Sequence, residues 1–205
     1  MIIGISSKKG GGKDTAYQMI YNQDPLKFWE NRKFADPLKD TVCIILNCSR
    51  EKLEDREFKK LPLGKEWWYY KIDGKMIPFN TYKGNEKQNL VKLTPRKLLQ
   101  LLGTEAGRQI IHPNIWINSL FSEYRPSKSN WIITDLRFPN EAKAIQNRGG
   151  FLMRINRPHN QEDPHKSEVA LDNWEEWDAV IENNGTLEQF EDRVIAQYKK
   201  LLNSN

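Results

Sequence analysis

Ile2-Ile3-Gly4-Ile5-Ser6-Ser7-Lys8-Lys9-Gly10-Gly11-Gly12-Lys13-Asp14-Thr15 is the stretch that decides the fold. Residues 2–6 are a short apolar run that stops at a turn signal, and they read as a buried strand. Residues 7–12 are a glycine-rich turn. A helix starts at Lys13, with Ala16, Met19 and Ile20 on one face. Strand, glycine turn, lysine and helix in that order are the context a phosphate-binding loop requires. The glycines let backbone N–H groups curl around phosphate oxygens, and the helix N-terminus adds the positive end of its dipole. Lys13 supplies a point charge. The match to GxxxxGK followed by Ser or Thr is imperfect. Ser7 stands at the first glycine position, Asp14 follows the lysine, and Thr15 comes one residue later. The plainer reading is a glycine turn with a solvated lysine.

Working outward, strand-like and helix-like segments alternate, which predicts an α/β fold with a mainly parallel sheet. Residues 33–35 read as a second strand, leading through Asp36-Pro37 into a helix near 38–48 with Leu38, Val42 and Ile45 inward. Residues 66–82 place Asp73-Gly74 between two strand-like runs, the strongest short-range hairpin signal. Thr94 suits an N-cap and Pro95 a first helical position, with Leu98, Leu101 and Leu102 on the inner face. A short helix follows over 115–124. Trp131-Ile132-Ile133-Thr134 reads as a buried strand ending at Asp135. Pro139 opens a helix that stops at Gly149-Gly150. Phe151–Ile155 and Asp178–Glu182 are further strands. Thr186 with Gln189 is a capping box for a last helix with Phe190, Val194 and Leu201 inward.

The chain has 205 residues, enough for one domain, or one domain with an inserted lid. Its start is apolar for too short a stretch to be a secretory leader, and no segment nears the ~20 apolar residues that span a bilayer. The expectation is a soluble, cytoplasmic protein without a membrane partner. Cys43 and Cys48, the two cysteines, have neither CxxC spacing nor a histidine cluster and read as reduced thiols. Residues 1–157 carry a surplus of +12, whereas 158–205 carry −7. The basic part attracts anions. No run of consecutive basic residues reads as a nucleic-acid arm.

Other residues extend the phosphate chemistry. Asp135, at the carboxyl end of a buried strand, stands where ligands of open α/β sheets bind and where a carboxylate can hold the hydration shell of Mg²⁺. Capping of the next helix is the alternative. Arg137 follows on the same side. Arg56, Arg96, Arg108, Arg137, Arg154 and Arg157 form a set from which some converge on phosphates, since phosphoryl transfer needs positioning and positive charge. Asp14 takes the place of the usual hydroxyl ligand to Mg²⁺, directly or through water, with Thr15 on phosphate. His165 reads as a surface residue. The aromatics at 67–70 suit hairpin packing ahead of base stacking.

The stretches Gly12-Lys13-Asp14-Thr15, Phe34-Ala35-Asp36-Pro37-Leu38-Lys39, Asp55-Arg56-Glu57-Phe58-Lys59, Thr94-Pro95-Arg96-Lys97-Leu98-Leu99-Gln100 and Leu102-Gly103-Thr104-Glu105 come in this order. His112-Pro113-Asn114-Ile115-Trp116, Thr134-Asp135-Leu136-Arg137-Phe138-Pro139-Asn140-Glu141 and His165-Lys166-Ser167-Glu168 follow. Together they resemble the phage-type deoxynucleoside monophosphate kinase family over most of the chain. The resemblance implies a P-loop NTPase three-layer fold of nucleoside monophosphate kinase type over 1–205. It implies a monophosphate-binding region at about 36–116 and a lid at about 154–168. The reaction it implies is ATP plus dNMP giving ADP plus dNDP with Mg²⁺. By motif position, Gly10, Gly11, Gly12, Lys13, Asp14 and Thr15 would hold the ATP phosphates, and Asp14, Thr15 and Asp135 the metal. Asp36, Lys39, Arg56, Arg96, Arg108 and Trp116 would surround the monophosphate. Lys13, Asp135, Arg137, Arg154 and Arg157 would be catalytic. A homodimer through the hairpin's apolar surface, no stable nucleic-acid partner, and a host cytoplasm if the origin is a phage complete the expectation. A kinase of another phosphorylated metabolite, phosphomevalonate for one, and a basic nucleotide- or nucleic-acid-binding module remain as alternatives.

Overall fold

A computed structural model describes residues 1–84, 89–158 and 169–203. In chain order the elements are β1 (Ile2–Ser7), α1 (Lys13–Gln23), β2 (Glu30–Arg32), α2 (Asp36–Leu46), α3 (Arg50–Glu54), β3 (Trp68–Ile72), β4 (Lys75–Pro78) and β5 (Leu90–Lys92). They continue with α4 (Pro95–Gln100), a wide π-type helix over Leu101–Ile111, α5 (Ile115–Phe121), β6 (Trp131–Ile133), α6 (Pro139–Gln146), β7 (Phe151–Asn156), β8 (Ala179–Glu182) and α7 (Leu187–Asn203). The backbone forms two compact units, Met1–Ala35 with Ile117–Asn205, and Asp36–Trp116.

The first unit is built on a five-stranded sheet ordered β2-β6-β1-β7-β8. Every pairing in it is parallel. A sheet covered on both faces needs strands apolar on both sides, and β1 meets this: Ile2, Ile3 and Ile5 are fully buried. Ile3 and Ile5 join Ala16, Met19 and Ile20 of α1 and Phe190, Val194 and Tyr198 of α7 in one core. Ile2 lies in the other core with Leu120 of α5 and Ala142 and Ile145 of α6. Helices therefore cover both faces, giving three layers. The inward residues read from the first and last helices are the buried ones, with Tyr198 added. Tyr198 also closes a polar contact inside this core. Its hydroxyl accepts from Trp29 Nε1 at 3.2 Å and donates to Asp24 Oδ2 at 2.9 Å. Burial pushes the phenol well above its ordinary pKa.

Several boundaries move. The second strand is Glu30–Arg32, not 33–35. Phe34 and Ala35 cannot extend the ladder, because both backbone N–H groups donate to the Asp135 carboxylate. The following helix is Asp36–Leu46, with Val42 buried but Ile45 40% exposed. The helix expected over 115–124 ends at Phe121. The capping box at Thr186 and Gln189 is present in both directions. The segment His165–Glu168 and most of the expected lid lie outside the described residues.

In the second unit the hairpin is one edge of a three-stranded antiparallel sheet ordered β4-β3-β5. Asp73 (φ 46°) and Gly74 (φ 77°) make its two-residue turn. Period-2 alternation puts Trp68 and Tyr70 on one face, where they meet Phe79 at ring separations of 5.7 and 6.1 Å. β5, three residues long, joins β3 through Trp68 opposite Lys92. The Thr94 side chain accepts from Lys97 N at 3.1 Å and so caps α4. Past Gln100 the helix widens, and His112 N donates to Gly107 O, five residues back. Trp116 closes on this turn by donating from Nε1 to Gly103 O at 2.8 Å. Among the described residues no helix is long and apolar enough to cross a membrane.

Candidate functional site

The glycine loop leaves the carboxyl end of β1, the central strand of the parallel sheet, and enters α1. Such sheets bind ligands at that end. Gly11 N donates to Lys8 O at 2.9 Å and closes the loop's first turn. Gly10 (φ 75°) and Gly12 (φ 105°) take backbone angles that L-residues avoid. Gly12 is the N-cap of α1, and no side-chain hydrogen bond caps the helix start. Ser7, at the first glycine position, has a buried hydroxyl with no hydrogen-bond partner among the described residues.

Three later segments hold the loop from outside. Asn183 Nδ2 donates to Gly11 O at 2.9 Å, Arg157 Nη1 donates to Gly10 O at 3.1 Å, and Lys8 pairs with Asp172 at 3.2 Å. Beside the loop lies a cavity of about 140 Å³ bounded by Gly12, Thr15, Arg157, Asn183, Leu187 and Phe190. Asn183 and Asp172 carry no motif. Their only sequence signal is position shortly after a predicted strand or loop, which names no partner.

The structure disposes the expected residues of this unit in different ways. Lys13 stands half-buried in the first turn of α1. Asp14 is exposed and 3.6 Å from Lys33 Nζ. Thr15 is exposed at the cavity rim. Asp135 accepts from Phe34 N at 2.8 Å through Oδ1 and from Ala35 N at 3.0 Å through Oδ2, so it splints the end of β2. Glu141, 2% exposed, caps the start of α6 by accepting from Arg137 N and Phe138 N. Arg154 is held by Ser6 Oγ, Asn156 Oδ1 and Asp172 Oδ1 at 3.0, 3.3 and 3.0 Å.

In the second unit Asp36 accepts from Arg50 Nη2 at 2.6 Å, and Lys39 donates to Glu54 Oε1 at 2.6 Å. Arg50 also reaches Asp40 and Glu54. Two expected monophosphate residues thus belong to an ion network centred on Arg50 and Glu54, neither of which was singled out; the i, i+4 spacing of that pair was the available signal. Partial burial pushes the Glu54 carboxyl up, but the Lys39 hydrogen bond and charge, with Arg50 and Lys59, outweigh it and bring the pKa down to about 2. Arg56 and Arg96 are exposed, Arg108 is half-buried, and Trp116 is 7% exposed. Among the described residues no three His, Cys, Asp or Glu side chains gather as a metal-holding group.

The family model for deoxynucleotide monophosphate kinase matches residues 66–194. The chain belongs to the deoxynucleotide monophosphate kinase family. Within this family a protein of Acanthamoeba polyphaga mimivirus, named provisionally as a deoxynucleotide monophosphate kinase, is 31% identical over 96% of this chain and 95% of its own. The deoxynucleoside-5'-monophosphate kinase of Escherichia phage T5 is 28% identical over 71% of this chain and 72% of its own. A dephospho-CoA kinase from Campylobacter jejuni superposes over 98% of this chain and 96% of its own at 12% identity and a TM-score of 0.44, a likeness too loose to carry an argument.

Proposed function

We propose that this chain transfers the γ-phosphate of ATP to a deoxynucleoside monophosphate, giving ADP and the deoxynucleoside diphosphate. The observation that carries the reading is the loop Ser7–Lys13 between β1 and α1. Its helix start without a side-chain cap, its half-buried Lys13, and its Ser7 hydroxyl, buried and without a partner among the described residues, suit the oxygens of a polyphosphate. Membership of a kinase family fixes the direction of that chemistry.

Gly10, Gly11, Gly12, Lys13, Asp14 and Thr15 cradle the donor phosphates, and Arg157 reaches the loop from outside. Lys13, Arg137, Arg154 and Arg157 supply the positive charge that a loose transition state requires at its equatorial oxygens. Asp135 holds the chain between β2 and α2 through the N–H groups of Phe34 and Ala35. The exposed Asp14 carboxylate, the Thr15 hydroxyl and Asp135 are hard oxygen ligands and fit Mg²⁺ that keeps most of its waters. When bound, that ion neutralises charge developing between the β- and γ-phosphates. The chain is one kinase domain over 1–205, in which the Asp36–Trp116 unit receives the acceptor through Asp36, Lys39, Arg56, Arg96, Arg108 and Trp116. The reading puts the activity in the cytoplasm, where both nucleotides are found. A homodimer through the hairpin sheet, whose Met76 is 71% exposed, completes it.

The test is a coupled ADP-release assay with ATP and Mg²⁺ against dTMP, dGMP, dCMP, dAMP and the matching ribonucleotides. Turnover with at least one dNMP above its ribonucleotide is expected. A folded, ATP-binding sample inert toward the whole panel overturns the reading.

A further inference from the structure

We propose that Asp172 is a positioning residue for phosphoryl transfer, bracing the entry of the glycine loop through Lys8 and Arg154. The proposal rests on the kinase reading above. Its starting point is a closed ring of contacts within the first unit. Ser6 and Arg154 face each other across the β1–β7 ladder, and Arg154 Nη1 donates to Ser6 Oγ at 3.0 Å. Arg154 Nη2 donates to Asp172 Oδ1 at 3.0 Å, and Asp172 Oδ2 takes Lys8 Nζ at 3.2 Å. Lys8 leads back through Ser7 to Ser6. The ring therefore includes Ser7, the loop residue whose buried hydroxyl has no partner among the described residues.

Two features point to positioning. The Lys8 and Asp172 side chains are 47% and 34% exposed, and an ion pair so open to water adds little to stability. Asp172 is nonetheless fixed in place. Its neighbour Leu171 is 3% exposed in the core with Ile133 and Leu152, and its partner Arg154 is only 12% exposed. A carboxylate anchored beside the core thus tethers Lys8 at the loop entry. Donors held in advance of the reaction are what electrostatic catalysis uses, since they need no rearrangement as charge develops. A carboxylate beside an anion site opposes ATP binding at long range. Its benefit must then appear in the transfer step.

The experiment measures kcat and KM for ATP in Asp172→Asn, Lys8→Met, the double variant and Asp172→Glu, with folded fraction and Tm for each. The expected result is a kcat about tenfold lower in Asp172→Asn, with KM for ATP unchanged or lower. The double variant should be no worse than the worse single, because both break one tether. Asp172→Glu, which keeps the charge, should regain part of kcat. Additive losses overturn the proposal, as does an Asp172→Asn protein that loses only Tm. A wild-type protein inert toward every dNMP overturns the kinase reading itself. A wild type that turns over beside an unimpaired Asp172→Asn overturns this proposal alone.

Discussion

Replacing Gly12 with alanine tests whether the loop's shape, and not merely its lysine, does the work. At φ 105° and ψ 13° an L-residue is strained by about 1–3 kcal/mol. The new Cβ would lie 2.9 Å from Asn183 Nδ2 and 3.2 Å from two ring carbons of Phe190. Phe190 is 2% exposed and packed in the core, so Asn183 has to give way. That breaks its hydrogen bond to Gly11 O, worth about 1 kcal/mol. Residual crowding against the ring adds about 1 kcal/mol. The sum is about 3–5 kcal/mol, and at about 2–4 °C per kcal/mol for this chain length Tm should fall by about 6–20 °C. Gly149→Ala is the matched control. Its φ of 68° is also positive, but nothing lies within 4 Å of the added Cβ. It should cost only the strain of about 1 kcal/mol. Differential scanning calorimetry compares the two, and the ADP-release assay on folded protein should show Gly12→Ala down by about 100-fold in kcat/KM, the scale of an ångström misplacement. Equal Tm shifts for the two alanines, or wild-type kcat/KM in Gly12→Ala, would refute the steric argument.

Lys13→Ala should fold with an unchanged circular dichroism spectrum and lose about 100- to 1,000-fold in kcat, as removal of a charge on the transferring phosphate implies. Asp135→Ala strips two backbone N–H groups of a charged acceptor and should destabilise the protein by about 3 kcal/mol, read from urea unfolding. Asp135→Asn, which keeps one acceptor oxygen, should recover part of that loss. Glu54 has a folded-state pKa of about 2 against an ordinary 4.5. Its contribution is therefore present above about pH 4.5 and is lost as pH falls toward 2. With 44% of the side chain exposed, solvent screening keeps that contribution small. A Glu54→Gln variant should show a shallower loss of stability between pH 5 and 3 than wild type, by about half a kcal/mol.

What could be read from the chain was what short-range chemistry dictates. The run Ile2–Thr15 names a strand, a turn and a helix because each signal lies within a few residues of the next. Thr94, Thr186 with Gln189, and Asp73-Gly74 are legible for the same reason. The end of β2 was not, because it is set by Asp135, about 100 residues away. β5 escaped notice because three residues show no period. The wide helix after Gln100 keeps the apolar spacing of an ordinary one. In the site, the glycines and Lys13 announce themselves by type and order. Asn183, Asp172 and Arg50 do not, since an asparagine, an aspartate or an arginine acquires its role only from the carbonyl or carboxylate that folding brings to it.

The strand order has a consequence for synthesis. Among the described residues β1 pairs only with β6 and β7, which begin at Trp131 and Phe151. At about 5–20 residues per second, β1 waits roughly 6–25 s after leaving the ribosome before its first partner strand is made. During that interval the contiguous Asp36–Trp116 segment can fold completely, while three isoleucines that end fully buried stay open to water. The nascent chain is therefore most prone to aggregate, and most in need of a chaperone, between those two events.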